Sequence, residues 1–457
     1  MKLSVKQKCA FGFGAFGKDI VYMLIATYLL NYYNVVLGMD SAFIGVVMMA
    51  ARVFDAFNDP LMGIIVAKTK TKMGKFRPWI LAGTVLNSVT IYALFAAPVT
   101  DNPNAPMMKS WLIVFYFAWG MTYTLMDIPF WSMIPAITEP GKDREELTSL
   151  ARTCAGIGDA LPTVLTMTIV PVLGAGSAAM NMRIGYKWWA LIIAIVFVVS
   201  EIVCVITVPE KPVDLEMKTP KISQMFKSLF NNDQALVVVG SIILVYASLN
   251  ICGNLVLYFF QFDVGNAGAY STFAAVAFGA QVITMMIIPL LRKFFSKHQL
   301  FMSGFLIQII GFIVILIMAY TGMYTAEKWY VLCVPGILIY AGYGILNVIM
   351  TVFLSDTVDY GEMKNNTRDE SVIFSMQTFT VKLASGLAVL LAGFVIKWIH
   401  LDTRVGAINT NEALQGLRLW MTIPSVGLLI LGIILYKTRY NLDDNRMKEI
   451  RKQIQDK

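Results

Sequence analysis

Twelve long runs of mainly apolar residues restrict what this chain can fold into. Each run has about 18 residues or more, the length that an α-helix needs to cross the hydrocarbon core of a bilayer. Only 14% of the 457 residues are charged, too few to cover the surface of a water-soluble protein of this size. The predicted spans lie at about 11–37, 42–66, 78–99, 110–137, 149–174, 188–209, 235–262, 269–291, 299–320, 329–355, 372–399 and 414–436.

This composition predicts an all-α integral membrane protein and excludes a soluble enzyme, a nucleic-acid-binding protein and a secreted disulfide-rich domain. The five cysteines lie far apart without CxxC spacing, so they indicate neither a redox pair nor a metal site. Two histidines near the ends of apolar runs are too few for zinc or triad chemistry. We therefore expect no enzymatic activity and no cofactor.

The distribution of positive charge predicts the orientation of the chain. With the N-terminus inside, the inner segments carry 26 lysines and arginines and the outer loops carry 5. Positive residues accumulate on the cytoplasmic side of membrane proteins. Both termini are therefore predicted to be cytoplasmic, in a multi-pass protein of a cytoplasmic membrane.

The longest inner connection divides the spans into two sets of six. It runs over 210–234 and separates a predicted N-terminal bundle at 1–209 from a C-terminal bundle at 235–436, followed by a basic cytoplasmic tail at 437–457. Equivalent loops occupy equivalent places in both halves, which indicates two pseudo-symmetric six-helix bundles. These are a basic loop after the second span (68–78 and 291–299) and a charged loop before the fifth (142–152 and 365–374).

Two aspartates in the second span predict a cation site. Asp55 and Asp59 are four residues apart and share a helical face, where two like charges repel unless a cation or a proton intervenes. Asn58 and Thr124 add neutral oxygens, and such oxygen donors suit a hard monovalent cation rather than a transition metal. The alternative is a structural ion-pair network with Arg52, although one arginine cannot balance two aspartates.

A carboxylate and an indole in the fourth span predict a sugar site. Asp127 and Trp131 lie one helical turn apart. Carboxylates accept hydrogen bonds from sugar hydroxyls, and a flat ring packs on the apolar face of a pyranose. Lys18 and Asp19 in the first span are expected to serve further hydroxyls, with Arg152 as a forked donor. The alternative for Trp131 is an interfacial tryptophan without a ligand.

Charged residues outside these two predicted sites suggest further roles. Lys382 is a strong cation within the second bundle, either a partner for an aspartate of the first bundle or a lysine that snorkels to the membrane surface. Lys75 and Arg77 can pair with acidic inner-loop residues only when the inner ends of the two bundles approach each other, so they are predicted to take part in a conformational switch. The alternative is that these positive charges only set the orientation of the chain in the membrane. The acidic candidates are Asp143, Glu145, Asp359 and Glu362.

Several motifs in order along the chain resemble the glycoside–pentoside–hexuronide:cation symporters, and among them melibiose permeases, of the major facilitator fold. The resemblance covers nearly the whole chain. It rests on FGFGAFGKD at 11–19, RVFDAFNDPLMG at 52–63, GKFRPWILAGT at 74–84, WGMTYTLMDIPFWS at 119–132 and DTVDYGE at 356–362.

The resemblance implies the major facilitator fold and roles for particular residues. It implies a sodium, lithium or proton site at Asp55, Asn58, Asp59 and Thr124. Galactoside contacts are implied for Lys18, Asp19, Tyr123, Asp127, Trp131, Arg152 and Lys382. GKFRP becomes a conformational-switch loop, with the loop that carries Asp359 and Glu362 as its counterpart. Val35 and Asn347 depart from the family pattern, which commonly has aspartate and tryptophan there.

These observations predict a secondary transporter that imports melibiose or a related galactoside with sodium, lithium or a proton by alternating access, working as a monomer. One alternative keeps the fold and carries another glycoside, a pentoside or a hexuronide with a proton. A second is an intramembrane prenyltransferase, which would need another aspartate cluster in the second half. A third is a channel, which would need a repeated pore loop or a ring of like charges.

Overall fold

The computed structural model is almost entirely helical, and it describes residues 3–69, 71–100, 102–138, 142–210, 230–365, 370–404 and 406–455. Thirteen α-helices lie in these ranges, eleven of them long and apolar enough to cross a membrane. The helices are α1 Val5–Asn31, α2 Ser41–Lys68, α3 Arg77–Phe95, α4 Pro106–Ile137, α5 Lys142–Leu173, α6 Ala179–Thr207, α7 Asp233–Tyr258, α8 Ala269–Leu291, α9 Lys297–Thr321, α10 Cys333–Asn365, α11 Glu370–Trp398, α12 Asn411–Arg439 and α13 Asp444–Gln455.

The remaining long helix, α2, has 28 residues and corresponds to the predicted second span. Three charged residues, Arg52, Asp55 and Asp59, lie within it, and it is not among the eleven helices counted above. Charged residues are rare inside membrane-spanning helices and mark functional positions.

Short polar side chains fix the start of several helices. Ser4 and Ser296 each form a capping box, in which the hydroxyl and a glutamine three residues later satisfy free backbone amides. Asp40 caps α2 by accepting a hydrogen bond from the amide of Phe43. These local signals determine where the helices begin, while apolar packing determines how they assemble.

The chain forms two compact units. The first comprises Met1–Thr219 with Asp402–Ala407, and the second comprises Pro220–Leu401 with Ile408–Lys457. Most of the predicted linker, residues 211–229, lies outside the described residues.

The same five helix pairs form the main packing within each unit. In the first unit α1 packs against α5 and α6, α3 against α4 and α6, and α2 against α4. In the second unit α7 packs against α11 and α12, α9 against α10 and α12, and α8 against α10. A π-helical turn also follows each first helix, at Tyr32–Val36 and at Phe259–Asp263. The duplication predicted from the loops is therefore confirmed.

Two segments predicted as loops are helical instead. α5 begins at Lys142, inside the charged segment expected at 142–152, because no glycine or proline interrupts the sequence there. α10 continues to Asn365, so Asp359 and Glu362 lie on a helix and not on a loop.

Tertiary contacts support the extended end of α10. Tyr360 donates a hydrogen bond to Asp233 at 3.0 Å, and the ammonium of Lys364 lies 2.5 Å from the same carboxylate. Tyr360 also packs into an apolar cluster with Leu442, Met447 and Ile450. The predicted basic tail therefore contains a helix, α13, whose apolar side chains pack on α10.

Candidate functional site

Lys18 on α1 joins two carboxylates of the first unit. Its ammonium lies 2.6 Å from Asp19 Oδ1 and 2.7 Å from Asp127 Oδ1. The side chain of Lys18 is 2% exposed, against 13% for Asp19 and 29% for Asp127. The cation is thus buried behind two partly accessible acceptors, and the three groups together carry one negative charge when ionised. We call Lys18, Asp19 and Asp127 the lysine cluster.

Aromatic residues of α4 complete the lysine cluster. Tyr123 donates its hydroxyl to Asp19 Oδ1 at 3.1 Å, and the indole N–H of Trp131 donates to Asp127 Oδ1 at 3.1 Å. The ammonium of Lys18 lies 4.8 Å from the centroid of the Trp131 ring, within range of a cation–π interaction. These contacts fix the orientation of both carboxylates.

Arg152 lies on the same tryptophan. Its guanidinium carbon is 4.0 Å from the centroid of the Trp131 ring, and its side chain is exposed. The sequence suggested a forked donor to sugar hydroxyls and a free indole face. The guanidinium lies against this ring, and the roles of Arg152 and Trp131 in sugar binding stay predictions.

The predicted cation residues lie between α2 and α4. The guanidinium of Arg52 is 3.5 Å from Asp55 Oδ2, and Thr124 donates its hydroxyl to Asp59 Oδ1 at 3.0 Å. Gly120 faces Asp55, since a Cβ on this glycine would lie 3.0 Å from Asp55 Oδ1. Residue 55 of α2 thus meets residue 120 of α4, and residue 59 meets residue 124. This order is expected for two helices that run in the same direction.

Arg52 is held by two rings as well as by Asp55. Its guanidinium carbon lies 5.5 Å from the centroid of Tyr22 and 5.8 Å from that of Trp119. The ring of Tyr22 in turn lies 5.3 Å from that of Tyr123. An aromatic contact thus joins the surroundings of the aspartate pair to the lysine cluster. The Arg52–Asp55 ion pair that the sequence left as an alternative does form.

The chemistry of this region is that of oxygen ligands. Asn58 is half-buried on α2, one residue from Asp59, and adds an amide to the carboxylates and the hydroxyl. Among the described residues no group of three or more histidines, cysteines, aspartates or glutamates could hold a metal ion. The donors present suit a hard cation that binds oxygen atoms.

The GKFRP loop binds a carboxylate of its own unit. The backbone amides of Lys75, Phe76 and Arg77 all donate to the carboxylate of Glu210, with N–O distances of 3.1 Å from Phe76 and 3.3 Å from Arg77. Gly74 has φ +106°, and a Cβ there would lie 2.3 Å from Glu210. An acidic side chain at the first turn of α3 is stabilised by the helix dipole.

The charged groups expected to pair with this loop are distributed differently. The guanidinium of Arg77 donates to the carbonyl of Val205 at the end of α6. The side chains of Asp143 and Glu145 lie outside the described residues. Asp359 and Glu362 lie on the last turns of α10 in the second unit, so their pairing with GKFRP stays a prediction.

In the second unit Lys382 is half-buried on α11, and its predicted partnership with an aspartate of the first bundle also stays a prediction. Asn347 on α10 donates its amide to the hydroxyls of Tyr246 at 2.8 Å and Tyr343 at 3.2 Å. The departure from the family's tryptophan thus creates a small polar cluster.

A membrane-spanning bundle duplicated in two units, with buried ion pairs inside its helices, defines a multi-pass membrane transporter. The model of the family described as MFS/sugar transport protein matches residues 10–444, and the chain belongs to that family. The resemblance to the glycoside–pentoside–hexuronide:cation symporters is thereby confirmed. The predictions that the chain is a sugar symporter rather than an enzyme, and that it lies in a bacterial cytoplasmic membrane, are confirmed as well.

Relatives match over most of the chain. The isoprimeverose transporter of Lactiplantibacillus pentosus is 24% identical over 94% of this chain and 88% of its own length. The lactose permease of Lactobacillus delbrueckii subsp. bulgaricus is 26% identical over all of this chain and 73% of its own length. The crystal structure of the nucleoside transporter NupG has a TM-score of 0.63 and 18% identity, covering 94% of this chain and 99% of that one. At this identity the structure shows the fold alone.

Several residues at the site carried no sequence signal of their own. Gly120 and Tyr22 look like ordinary residues of apolar helices, and their contacts with Asp55 and Arg52 appear only after helix packing. Glu210 lies 135 residues from the amide of Lys75, too far for any local pattern to join them. The contact between Lys18 and Asp127 could have been suspected from the sequence, because each is an ionisable residue within a predicted span.

Proposed function

We propose that this chain imports a galactoside-like sugar together with a monovalent cation by alternating access of its two units. One observation carries the proposal: α4 contributes both Thr124, which binds Asp59 at the candidate cation site, and Asp127, which belongs to the lysine cluster. Binding at either place therefore acts on the same helix.

The lysine cluster is the proposed sugar site. Asp19 and Asp127 are partly accessible acceptors for hydroxyl hydrogen bonds, and Lys18 and Trp131 hold them in position. A hydrogen bond to an ionised group contributes about twice as much as a neutral one, which suits a ligand with many hydroxyls. In this proposal the sugar packs on Trp131 and displaces Arg152 toward its own hydroxyls.

Asp55, Asn58, Asp59 and Thr124 form the proposed cation site. Arg52 partly compensates Asp55, and Thr124 supplies a neutral dipole to Asp59. A sodium or lithium ion, or a proton on one carboxylate, reduces the repulsion between the two aspartates. Gly120 supports this assignment, since a side chain there would fill the space beside Asp55.

Coupling follows from the shared helix. A cation that draws Asp59 and Thr124 together fixes α4, and Asp127 then presents its carboxylate to the sugar. Because coupling is reciprocal, the sugar must raise cation affinity by the same factor. In this proposal both termini are cytoplasmic, the transporter works as a monomer, and Lys382 of the second unit contacts the substrate.

A second candidate cargo is an acidic sugar such as a hexuronide. The observation that favours it is the exposed guanidinium of Arg152 on Trp131, which can bind a carboxylate in a bidentate manner. Lys18 is unsuited to this role, since it is already held by Asp19 and Asp127.

Counterflow in proteoliposomes tests the proposal. Proteoliposomes that contain the purified protein are loaded with one unlabelled sugar of a panel that includes melibiose, lactose, a pentoside and a hexuronide, with sodium, with lithium or with neither. Preferential exchange of α-galactosides, increased by sodium or lithium, is the expected result. Exchange of the hexuronide alone identifies the second candidate, and no exchange with any sugar contradicts both.

A further inference from the structure

Glu201 on α6 is an acidic residue that the proposed transport scheme does not use. Its side chain is fully buried, and in the part of the chain that the structure describes neither carboxyl oxygen has a hydrogen-bond partner. It lies six residues before α6 ends at Thr207, within a helix whose span is among the most apolar of the chain. A charge at such a depth is costly and marks a function.

Close packing of α1 and α6 keeps Glu201 away from water. A Cβ on Gly17 would lie 1.7 Å from Ser200 Oγ, and one on Gly14 would lie 3.0 Å from Cys204 Cβ. Ser200 and Cys204, one helical turn apart, face α1, and Glu201 lies three residues before Cys204 and beside it on the buried side of α6. The carboxyl group is therefore enclosed at a helix interface that allows no gap for solvent on the side of α1.

The same interface brings Glu201 close to Lys18. Lys18 follows Gly14 by one helical turn, and the ring of Phe130 contacts both, at 3.0 Å from the Gly14 Cβ position and 5.8 Å from the Lys18 ammonium. Glu201 thus lies near the lysine cluster, within electrostatic reach of its three charged groups.

Charges on several helices act on Glu201. Those of Lys18, Asp19 and Asp127 interact with it electrostatically, and two of the three are negative. Titratable and charged groups on the surrounding helices include Lys18 and Asp19 on α1, Arg77 at the start of α3, Asp159 on α5 and Cys204 on α6 itself, and Asp127 on α4 also acts on Glu201.

The proton is the simplest way to stabilise this group. Lys18 already has two carboxylate partners, and an ionised Glu201 would raise the charge of the cluster from one negative to two. A buried carboxylate without donors is far less stable than the neutral acid.

We propose that Glu201 is a proton-binding site, separate from the candidate cation site, which must be protonated for the lysine cluster to bind sugar. When the proton leaves to the aqueous phase, the Glu201 anion competes for Lys18 and draws it away from Asp127. Asp127 then loses the cation that orients it. This inference rests on the proposed sugar site, but the protonation of Glu201 can be measured without any sugar.

Infrared difference spectroscopy of the purified protein in lipid tests the protonation. At neutral pH the wild type is expected to show carbonyl absorption from protonated carboxylic acids, and Glu201→Gln is expected to lose the part of it that Glu201 contributes. Asp159→Asn removes a half-buried acidic side chain from a neighbouring helix and identifies any separate absorption from Asp159, while the contribution of Glu201 should remain. Protein labelled with ¹³C-glutamate, in which the band must shift, provides the same answer if the Gln variant does not fold. Wild-type and Glu201→Gln spectra that coincide in this region, or the absence of any absorption that shifts with the glutamate label, overturn the proposal.

Calorimetric titration with sugar between neutral and alkaline pH tests the coupling. Wild-type affinity is expected to fall at alkaline pH by roughly 5- to 150-fold, the usual range for coupled sites. Glu201→Gln is expected to keep its neutral-pH affinity over the whole range, and Ser200→Ala to follow the wild type. Parallel pH profiles for wild type and Glu201→Gln overturn the coupling even if the infrared band is assigned to Glu201. Absence of sugar binding at every pH contradicts the proposed function and leaves the infrared result to decide protonation.

Discussion

Thr124 and Asp127 lie three residues apart on α4 and bind opposite neighbours: Thr124 donates a hydrogen bond to Asp59 on α2, and Asp127 accepts the ammonium of Lys18 on α1. On a helix this spacing makes the two side chains neighbours, so one rigid element reaches both clusters. A shift or rotation of α4 cannot change one contact without changing the other. This relationship gives cation–sugar coupling a physical path of only one helical turn.

Asp59→Cys is expected to abolish cation-driven accumulation while sparing sugar exchange. The variant removes one of two carboxylates from the candidate cation site but leaves the lysine cluster intact. Sodium-driven uptake and counterflow in membrane vesicles measure the two activities separately. Asp402→Cys, on an exposed loop where the aspartate pairs with Arg404, is the matched control. Undiminished concentrative uptake by Asp59→Cys would show that the cation binds elsewhere.

Asp127→Asn is expected to weaken sugar binding by about 10- to 150-fold, because a lost hydrogen bond to a charged group costs about 1.5–3 kcal/mol. The substitution also removes one of the two carboxylates that hold Lys18. Titration calorimetry at saturating sodium measures the affinity. A dissociation constant equal to that of the wild type would remove Asp127 from the sugar site.

Thr124→Val is expected to raise the cation concentration needed for half-maximal transport by at least about tenfold, since the hydroxyl that binds Asp59 is lost. Thr124→Ser keeps the hydroxyl and should behave as the wild type. Initial uptake rates over a range of sodium concentrations compare the two. Equal cation dependence in the Val and Ser variants would contradict a role for this hydroxyl.

Arg77→Gln is expected to shift the accessibility of cysteines placed in the transport cavity. Their labelling by a thiol reagent should increase from the cytoplasmic side and decrease from the periplasmic side. The guanidinium binds the carbonyl of Val205 at the end of α6, and its loss loosens the inner end of the bundle. Lys72→Gln removes an exposed positive charge from the same loop and serves as the control. If the cysteines of both variants are labelled like those of the wild type, the positive charges of this loop only set the orientation of the chain in the membrane.

Glu210→Gln is expected to lower the melting temperature of the purified protein. The carboxylate accepts hydrogen bonds from three consecutive backbone amides at the start of α3. A negative charge at a helix N-terminus contributes about 0.3–1 kcal/mol to stability. Glu412→Gln removes an exposed acidic residue from the first turn of α12 and should have a smaller effect. Equal melting temperatures for the two variants would argue against the Glu210 contact.

The sequence by itself determined the membrane-spanning character, the duplication and the identity of most candidate residues. Apolar length and positive-charge bias act locally, since each span must satisfy its own backbone hydrogen bonds in lipid. A carboxylate within an apolar run is conspicuous for the same reason, and Asp19, Asp55, Asp59 and Asp127 could therefore be singled out without coordinates.

Only the tertiary structure decided which of these residues meet. Lys18 binds Asp127 across 109 positions, and Glu210 binds the GKFRP loop across more than 130, because helix packing places them together and no local pattern encodes it. Packing likewise decided the burial of Glu201, which the small residues Gly14 and Gly17 permit by letting α6 approach α1 closely. Spacing reports contacts along one helix, whereas contacts between helices depend on the shape and volume of all the side chains between them.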